Sequence, residues 1–494
     1  MAEEDFYIGR RKQRYAQVLG YPLRHDLMIK FGTDGWRAIM CDDFTFSNVN
    51  IVVQAIADYV KAHKGEDKGL IIGYDARFLS EKFAEEAGKV LATNGIAAYI
   101  IERDAPTPVV AHAIVQLNTA GAIMFTASHN PPEYNGIKYI PDYAGPADPE
   151  ITTEIEVNIA KILEKGTLKY LSLDEAEGFI KYIDPSTDYI KHLKTLIDLK
   201  KIKDSGLRIV YDPMYSSGRG YLDRILIEAG ITPVVLNNNR DPLFGGSSPE
   251  PSEERLQKMR DLIIKREADL GLATDGDADR FGIIDDTGRY ITPNKVISLL
   301  LTHLVEKKGL KGPVGRSVAT THMIDRLAER YGLDVYETPV GFKYIGKLMR
   351  ENDIIIGGEE SGGLSIRGHI PEKDGILACL LAAEMRASSG KPLSGVLEDL
   401  MKDIGGFFTR RLDIRYPQDK KERLMNNLKE TPPKSIGGKA VKKVTTIDGV
   451  KFLLEDESWF LVRPSGTEPL IRVYMESSTA KDLDNLESTL QTLI

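Results

Sequence analysis

The chain has 494 residues, 42% of them hydrophobic and 28% charged, with a formal net charge of −8. A length of this order calls for roughly three or four domains, and the acidic balance gives a nucleic-acid or anionic-membrane role no support, so any phosphate site must be a local patch. Its two cysteines, Cys41 and Cys379, stand far apart in no metal spacing, which with the lack of a signal-peptide core or a membrane-length apolar run points to a reduced, cytoplasmic compartment.

Residues 1–29 read as a charged helical extension. Beyond them, strand-like runs alternate with helix-like ones. Residues 70–75 precede a helical stretch over 80–92, and residues 207–212 precede another over 218–229. Runs at 269–275 and 353–357 complete the series. Short apolar runs joined by helices imply βαβ units. Polar stretches near 165–166, 285–288 and 403–406 mark boundaries. The tail differs: residues 443–452 read as a hairpin turning at Asp448-Gly449, in a smaller α+β unit.

Four loops carry the chemistry. In the first, an apolar run at 121–125 ends in Thr126-Ala127-Ser128-His129-Asn130-Pro131-Pro132. The prolines remove ladder donors and fix φ, so Ser128 is presented beyond the C-terminal end of a strand, where open α/β sheets place ligands. An ordinary Asn-Pro turn is the competing reading. The second loop, Asp275-Gly276-Asp277-Ala278-Asp279-Arg280, sets three carboxylates at alternate positions. Converged at about 4 Å, each pair repels by about 4 kcal/mol at an effective dielectric near 20. Three such pairs rival a domain's net stability of about 5–15 kcal/mol. A hard divalent cation removes that cost, and oxygen ligands suit Mg²⁺. The EF-hand pattern fails, because Arg280 and Asp286 stand where Gly and Glu are needed. A solvated acidic loop is the alternative. Arg280 beside the acids argues for a bound anion as well.

The third loop, Gly357-Gly358-Glu359-Glu360-Ser361-Gly362-Gly363, sets a carboxylate and a hydroxyl at alternate positions, suited to two neighbouring pyranose hydroxyls; a plain glycine turn is the alternative. The fourth, Arg463-Pro464-Ser465-Gly466-Thr467-Glu468-Pro469 with Arg472 beyond, offers guanidinium, hydroxyl and backbone N–H donors. That set makes an anion cradle, against the plainer reading of a surface turn.

These four loops, in this order, together with the opening Phe31-Gly32-Thr33-Asp34-Gly35-Trp36-Arg37, resemble the α-D-phosphohexomutase superfamily over residues 31–475. The resemblance implies an α/β fold: three similar βαβ-type domains with mixed sheets plus a smaller C-terminal α+β domain, around a central cleft. The expected boundaries are 30–165 for the phosphoserine domain, 166–288 for the metal-binding domain, 289–403 for the sugar-binding domain and 404–494 for the phosphate-binding domain, after the 1–29 extension. It implies interconversion of hexose 1- and 6-phosphates, with Ser128 as the phosphoserine. Asp275, Asp277 and Asp279 hold Mg²⁺ together with the Ser128 phosphate. Arg37, Lys138 and Arg280 surround the transferring phosphoryl group, and Lys138 is the general acid/base with His129 assisting. Arg463, Ser465, Gly466, Thr467 and Arg472 hold the other phosphate.

Mannose-type members carry a histidine where this chain has Phe342 and another where it has Gly363, and glucosamine-type members keep the second. With His369-Ile370-Pro371-Glu372-Lys373-Asp374-Gly375, the chain is most similar to phosphoglucomutases. Gly341 and Lys343 are then expected beside Glu359 and Ser361 in binding the sugar, and Lys373 takes over part of the missing histidines' roles. The expected reaction joins glucose 1-phosphate and glucose 6-phosphate, with hexose 1,6-bisphosphate as intermediate and activator. A phosphomannomutase or dual enzyme is the alternative within the class; a serine-dependent sugar phosphatase and a non-catalytic sugar-phosphate sensor are the rivals outside it. Hexose phosphates are the expected partners, and the protein is expected to be a monomer or homodimer.

Overall fold

The computed structural model describes residues 29–32, 34–165, 176–465 and 469–493. The chain divides into two units, residues 1–30 and a second that begins at Phe31 and carries all four sheets. The extension expected over 1–29 lies outside the described residues except for Ile29.

The apolar runs become central strands because both their faces are covered. Leu70–Tyr74, Gly121–Phe125 and Leu270–Thr274 are buried at every position. The first sheet holds β1 (Trp36–Ile39), β2 (Leu70–Tyr74), β3 (Ala98–Ile101), β4 (Gly121–Phe125), β5 (Tyr134–Pro141) and β6 (Ile180–Ile183), in the order β1-β5-β4-β2-β3-β6. The second holds β7 (Ile209–Asp212), β8 (Val234–Val235), β9 (Leu270–Thr274), β10 (Phe281–Ile284) and β11 (Tyr290–Ile291), ordered β11-β10-β9-β7-β8. In the third, β12 (Val314–Ser317), β13 (Val335–Thr338), β14 (Ile356–Gly358) and β15 (Leu364–Ile366) run β13-β12-β14-β15. The fourth is antiparallel: β16 (Phe408–Arg415), β17 (Ser435–Ile436), β18 (Lys439–Thr445), β19 (Val450–Leu454), β20 (Trp459–Pro464) and β21 (Leu470–Ser477), ordered β16-β21-β20-β19-β18-β17.

The first three sheets share one device. In each, a strand paired in parallel on one side turns back into an antiparallel neighbour on the other: β4 into β5, β9 into β10, β14 into β15. The three turns are residues 126–133, 275–280 and 359–363, which are three of the chemically loaded loops. The fourth loop joins β20 to β21 in the same hairpin manner. The mixed sheets are thus what places one functional loop per domain beyond a strand's C-terminal end.

Three local expectations shift. The first sheet extends past residue 165, because β6 pairs with β3; its four partly exposed edge residues are too few to read as a strand from sequence. The helix expected over 218–229 is confined to Leu222–Glu228, and Ser216 and Ser217 before it instead donate to the Gly276 carbonyl. The strand expected over 353–357 forms at Ile356–Gly358. One apolar core runs through the first three sheets, including Ile71, Met124, Leu272, Ile297 and Leu380. The fourth sheet has its own, around Phe452, Phe460 and Val473. Trp459, Leu461 and Tyr474 pack on Val318 and Ala319, seating the fourth sheet on the third domain. Among the described residues, no helix is long and apolar enough to cross a membrane.

Candidate active site

Ser128 is buried and sits at φ 49°, the left-handed region that a non-glycine residue seldom adopts. Arg77, wholly buried, overdetermines that conformation. Its guanidinium donates to four backbone carbonyls of the turn and the start of β5: Ser128 at 2.7 Å, Asn130 at 2.6 Å, Pro131 at 2.8 Å and Tyr134 at 2.9 Å. Its Nε donates to Asp75 at 3.1 Å. Asp75 also accepts from Thr126 Oγ1 at 2.7 Å, and Thr126 Oγ1 accepts from the Ser128 N–H at 2.8 Å. Burial lifts the Asp75 carboxyl to about 6 against the pull of Arg77.

The acidic loop packs directly on this turn. A Cβ on Gly276 would stand 2.4 Å from the Ser128 carbonyl oxygen, so only glycine permits the approach. Ser128 Oγ donates to Asp275 at 2.9 Å and lies 3.5 Å from His129 Nδ1. Asp275, Asp277 and Asp279 each bring a carboxylate oxygen within 4.8 Å of the others. The second oxygens of Asp277 and Asp279 are buried without a hydrogen-bond partner. Oxygens left so are costly unless a cation takes them, and the all-oxygen set suits Mg²⁺. The donor set therefore fits the expected metal.

Cations crowd the same carboxylates. Lys138 Nζ lies 2.9 Å from Asp277, 3.3 Å from Asp279 and 2.9 Å from Asp34. Lys373 Nζ lies 2.6 Å from Asp279 and 3.3 Å from Asp34. Burial works against the charge on Lys138, but Asp277, Asp34 and Asp279 outweigh it and hold the ammonium well above its ordinary range. Burial, then Asp277 and Asp279, push Asp275 up. Burial also opposes ionisation of Asp277, yet Lys138 and Lys373 draw it below its ordinary value. Arg280, then burial, depress His129, leaving it neutral. Arg280 N–H donates to Asp275 at 3.0 Å, and Arg37 Nη1 donates to Asn130 at 2.8 Å.

In the third loop, Glu359 is buried and accepts from the Gly341 N–H at 2.7 Å. Burial, then Glu360, lift it to about 7. Ser361 is half-buried. Lys343 is lowered by burial and lies 5.5 Å from the Tyr344 ring centroid. Lys373, expected on the sugar side, is set instead on the acidic triad. Gly363 explains the space it uses: a Cβ there would lie 2.5 Å from Lys373 Cδ. A histidine at 363 would require the Lys373 side chain to shift from this placement.

In the fourth loop, Arg463 and Arg472 face each other across β20 and β21, and Asp413 faces Arg472 from β16. Like charges directly opposed are unfavourable without an anion between or beside them. Arg463 Nε donates to Asp448 at 2.6 Å. Ser465 is buried, and its carbonyl accepts from Lys421 at 3.0 Å. Gly466 and Thr467 lie outside the described residues. The sequence alone missed Asp34, Asp75, Arg77, Thr107, which donates to Asp277 at 2.6 Å, and Asp448. Asp34 stood within the opening motif and Asp75 ended a strand, which were signals; Arg77 gave none.

Three α/β domains and an antiparallel C-terminal sheet, each contributing one loop, are the architecture of the phosphohexomutases, a class of isomerases. Comparison with known proteins agrees. The phosphoglucomutase/phosphomannomutase α/β/α domains I, II and III match residues 28–166, 187–288 and 292–404, and the C-terminal domain matches 422–491. A phosphoglucomutase of Komagataeibacter xylinus is 31% identical over 94% of this chain and 90% of its own length. A phosphoglucomutase/phosphomannomutase of Thermococcus kodakarensis is 30% identical over 91% and 94% respectively. A crystal structure of a Thermus thermophilus protein described as a phosphomannomutase matches with a TM-score of 0.81 at 32% identity, covering 94% of this chain and 99% of that one. The chain belongs to the phosphoglucomutase/phosphomannomutase family.

Proposed function

We propose that the chain is a phosphoglucomutase that interconverts α-D-glucose 1-phosphate and glucose 6-phosphate through phosphorylated Ser128 and hexose 1,6-bisphosphate. The reading rests chiefly on Ser128 Oγ lying 2.9 Å from Asp275 on a strained turn fixed by Arg77. A bound hexose hydroxyl attacks the phosphorus of phospho-Ser128. The bond from sugar oxygen to phosphorus forms, the bond from phosphorus to Ser128 Oγ breaks, and a bisphosphate results. It turns end for end, and its other phosphoryl group returns to Ser128 by the reverse step.

Such a transfer needs mainly positioning and charge. Asp275, Asp277, Asp279 and the Ser128 phosphate would hold Mg²⁺, whose charge neutralises the phosphoryl oxygens when bound. Arg37 and Arg280 would add positive charge. His129, held neutral, would take the proton of the attacking hydroxyl, and Lys138, held as an ammonium, would give a proton to the departing Ser128 oxygen, the roles reversing on the return step. Glu359 and Ser361, with Gly341 and Lys343, hold the ring hydroxyls, and Lys373 links that loop to the acidic triad. Arg463, Ser465, Gly466, Thr467 and Arg472 hold the phosphate that does not react. The bisphosphate acts as activator by restoring phosphate to a bare Ser128.

The use by Lys373 of the space that Gly363 leaves, where mannose-type members carry a histidine, supports the phosphoglucomutase-type reading over the mannose type. A coupled assay tests it, with α-glucose 1-phosphate against mannose 1-phosphate, with and without bisphosphate, before and after chelation. The expected result is Mg²⁺-dependent turnover that the bisphosphate stimulates and that favours glucose 1-phosphate. Equal or higher kcat/KM for mannose 1-phosphate would assign the phosphomannomutase or dual activity instead. Release of free phosphate in place of isomerised sugar would make the protein a phosphatase.

A further inference from the structure

The turn between β18 and β19 reads in sequence as a plain Asp-Gly hairpin turn, and the structure gives it a second task. Gly449 has φ 84°, and a Cβ on it would lie 2.3 Å from the Val462 carbonyl oxygen and 3.1 Å from Arg463 Cα. Glycine therefore lets the turn rest on the β20 backbone, which brings Asp448 beside the Arg463 side chain. Asp448 Oδ2 accepts from Arg463 Nε at 2.6 Å and from the Val340 N–H of the third domain at 3.0 Å. The next amide, Gly341 N–H, donates to Glu359 at 2.7 Å. Arg463 and Glu359 thus hang from adjacent amides of one turn, the first of them through Asp448.

We infer that Asp448 is a positioning residue that orients Arg463 and sets its distance from Glu359, so that phosphate and ring hydroxyls are read as one unit. The inference rests on the proposed roles of Arg463 and Glu359 as substrate ligands. A carboxylate near an anion site repels an incoming phosphate, so its presence must be offset. The offset is preorganisation: with Nε engaged, the guanidinium is held in one orientation before substrate arrives, and less rotamer freedom is lost on binding. The link to Val340 adds a tie between the third domain and the fourth sheet at the point where both must meet one ligand.

The test is a double-mutant cycle on affinity, measured by calorimetry with glucose 1-phosphate and Ser128→Ala protein, in which no transfer occurs. Asp448→Asn is the informative variant because Asn-Gly keeps the hairpin turn; circular dichroism verifies that it is folded. Asp448→Asn should weaken binding about 5- to 20-fold, and adding Arg463→Ala should lose no more than about twofold beyond Arg463→Ala alone. In the active enzyme KM should rise by a similar factor with kcat within about threefold, and Asp448→Glu should recover part of the loss. Unchanged or tighter binding in Asp448→Asn, or factors that multiply in the double variant, would overturn the proposal and leave the functional reading standing. Failure of Ser128→Ala alone to bind any hexose monophosphate would overturn both.

Discussion

The turn that carries Ser128 and the strand that carries Arg463 are held in different ways. Ser128 is itself buried in a left-handed conformation, with four carbonyls gripped by one guanidinium and Asp75 and Thr126 beneath it. Arg463 stands on a regular antiparallel ladder, and its guanidinium is directed by one carboxylate from a neighbouring turn. Under the proposed mechanism, the contrast follows from what each would do. A reacting oxygen has to be placed within a fraction of an ångström of its in-line path, so the backbone around it is overdetermined. A cradle that takes the 1-phosphate in one half-reaction and the 6-phosphate in the other gains from one well-aimed donor and little from further rigidity.

The largest expected effect breaks the comparison at its reactive end. Ser128→Ala should lower mutase turnover by on the order of 10³-fold or more, about 4 kcal/mol in barrier. Intact-mass analysis of the wild type after incubation with hexose bisphosphate should find one phosphoryl group, lost in the variant. Turnover above about a tenth of wild type would sink the covalent route.

Next comes the scaffold of that turn. Arg77→Lys keeps a positive charge against Asp75, but one ammonium cannot reach four carbonyls and a carboxylate. We expect kcat to fall about 10- to 100-fold, roughly 1.4–2.7 kcal/mol, with KM within about threefold. Steady-state kinetics gives the split, and a loss carried mainly by KM would remove Arg77 from the positioning of Ser128.

Arg463→Ala should give the opposite pattern. Losing a charge-assisted phosphate contact costs about 1.5–3 kcal/mol, so affinity of the Ser128→Ala protein should fall about 10- to 100-fold for glucose 1-phosphate and glucose 6-phosphate alike. An effect on one monophosphate only would require two separate phosphate sites in place of the shared cradle.

The smallest effect concerns pH. Burial and Glu360 raise Glu359 to about 7, so its carboxyl takes up a proton as pH falls through that value and ceases to be an anionic acceptor for sugar hydroxyls. KM for glucose 1-phosphate should therefore rise a few-fold between about pH 8 and pH 6. The substrate phosphate titrates in the same window, so the control is Glu359→Gln, whose KM should be high throughout and less dependent on pH. Parallel profiles for the two proteins would detach the dependence from Glu359.

Much of this was legible in the chain. Residue types at short spacing marked the four loops, because a loop that binds metal, sugar or phosphate needs its donors and glycines within a few residues. Strand runs and the Asp448-Gly449 turn followed from period and turn chemistry, which are local. Tertiary structure alone decided which charges act together. Arg77 donates to a carbonyl 51 residues away, and Lys373 reaches Asp34 across 339. Lys373, expected among the sugar-binding residues, sits on the acidic triad, and Asp448, read as a turn residue, pairs with Arg463. A lysine or aspartate reads alike in sequence whether solvated or buried, since its partners are chosen by sheet pairing and loop packing, and neither leaves a periodic trace along the chain. That all three α/β domains place their loop at the same parallel-to-antiparallel return was likewise invisible, because equivalent hairpins need share only their hydrogen-bond pattern and not their residues.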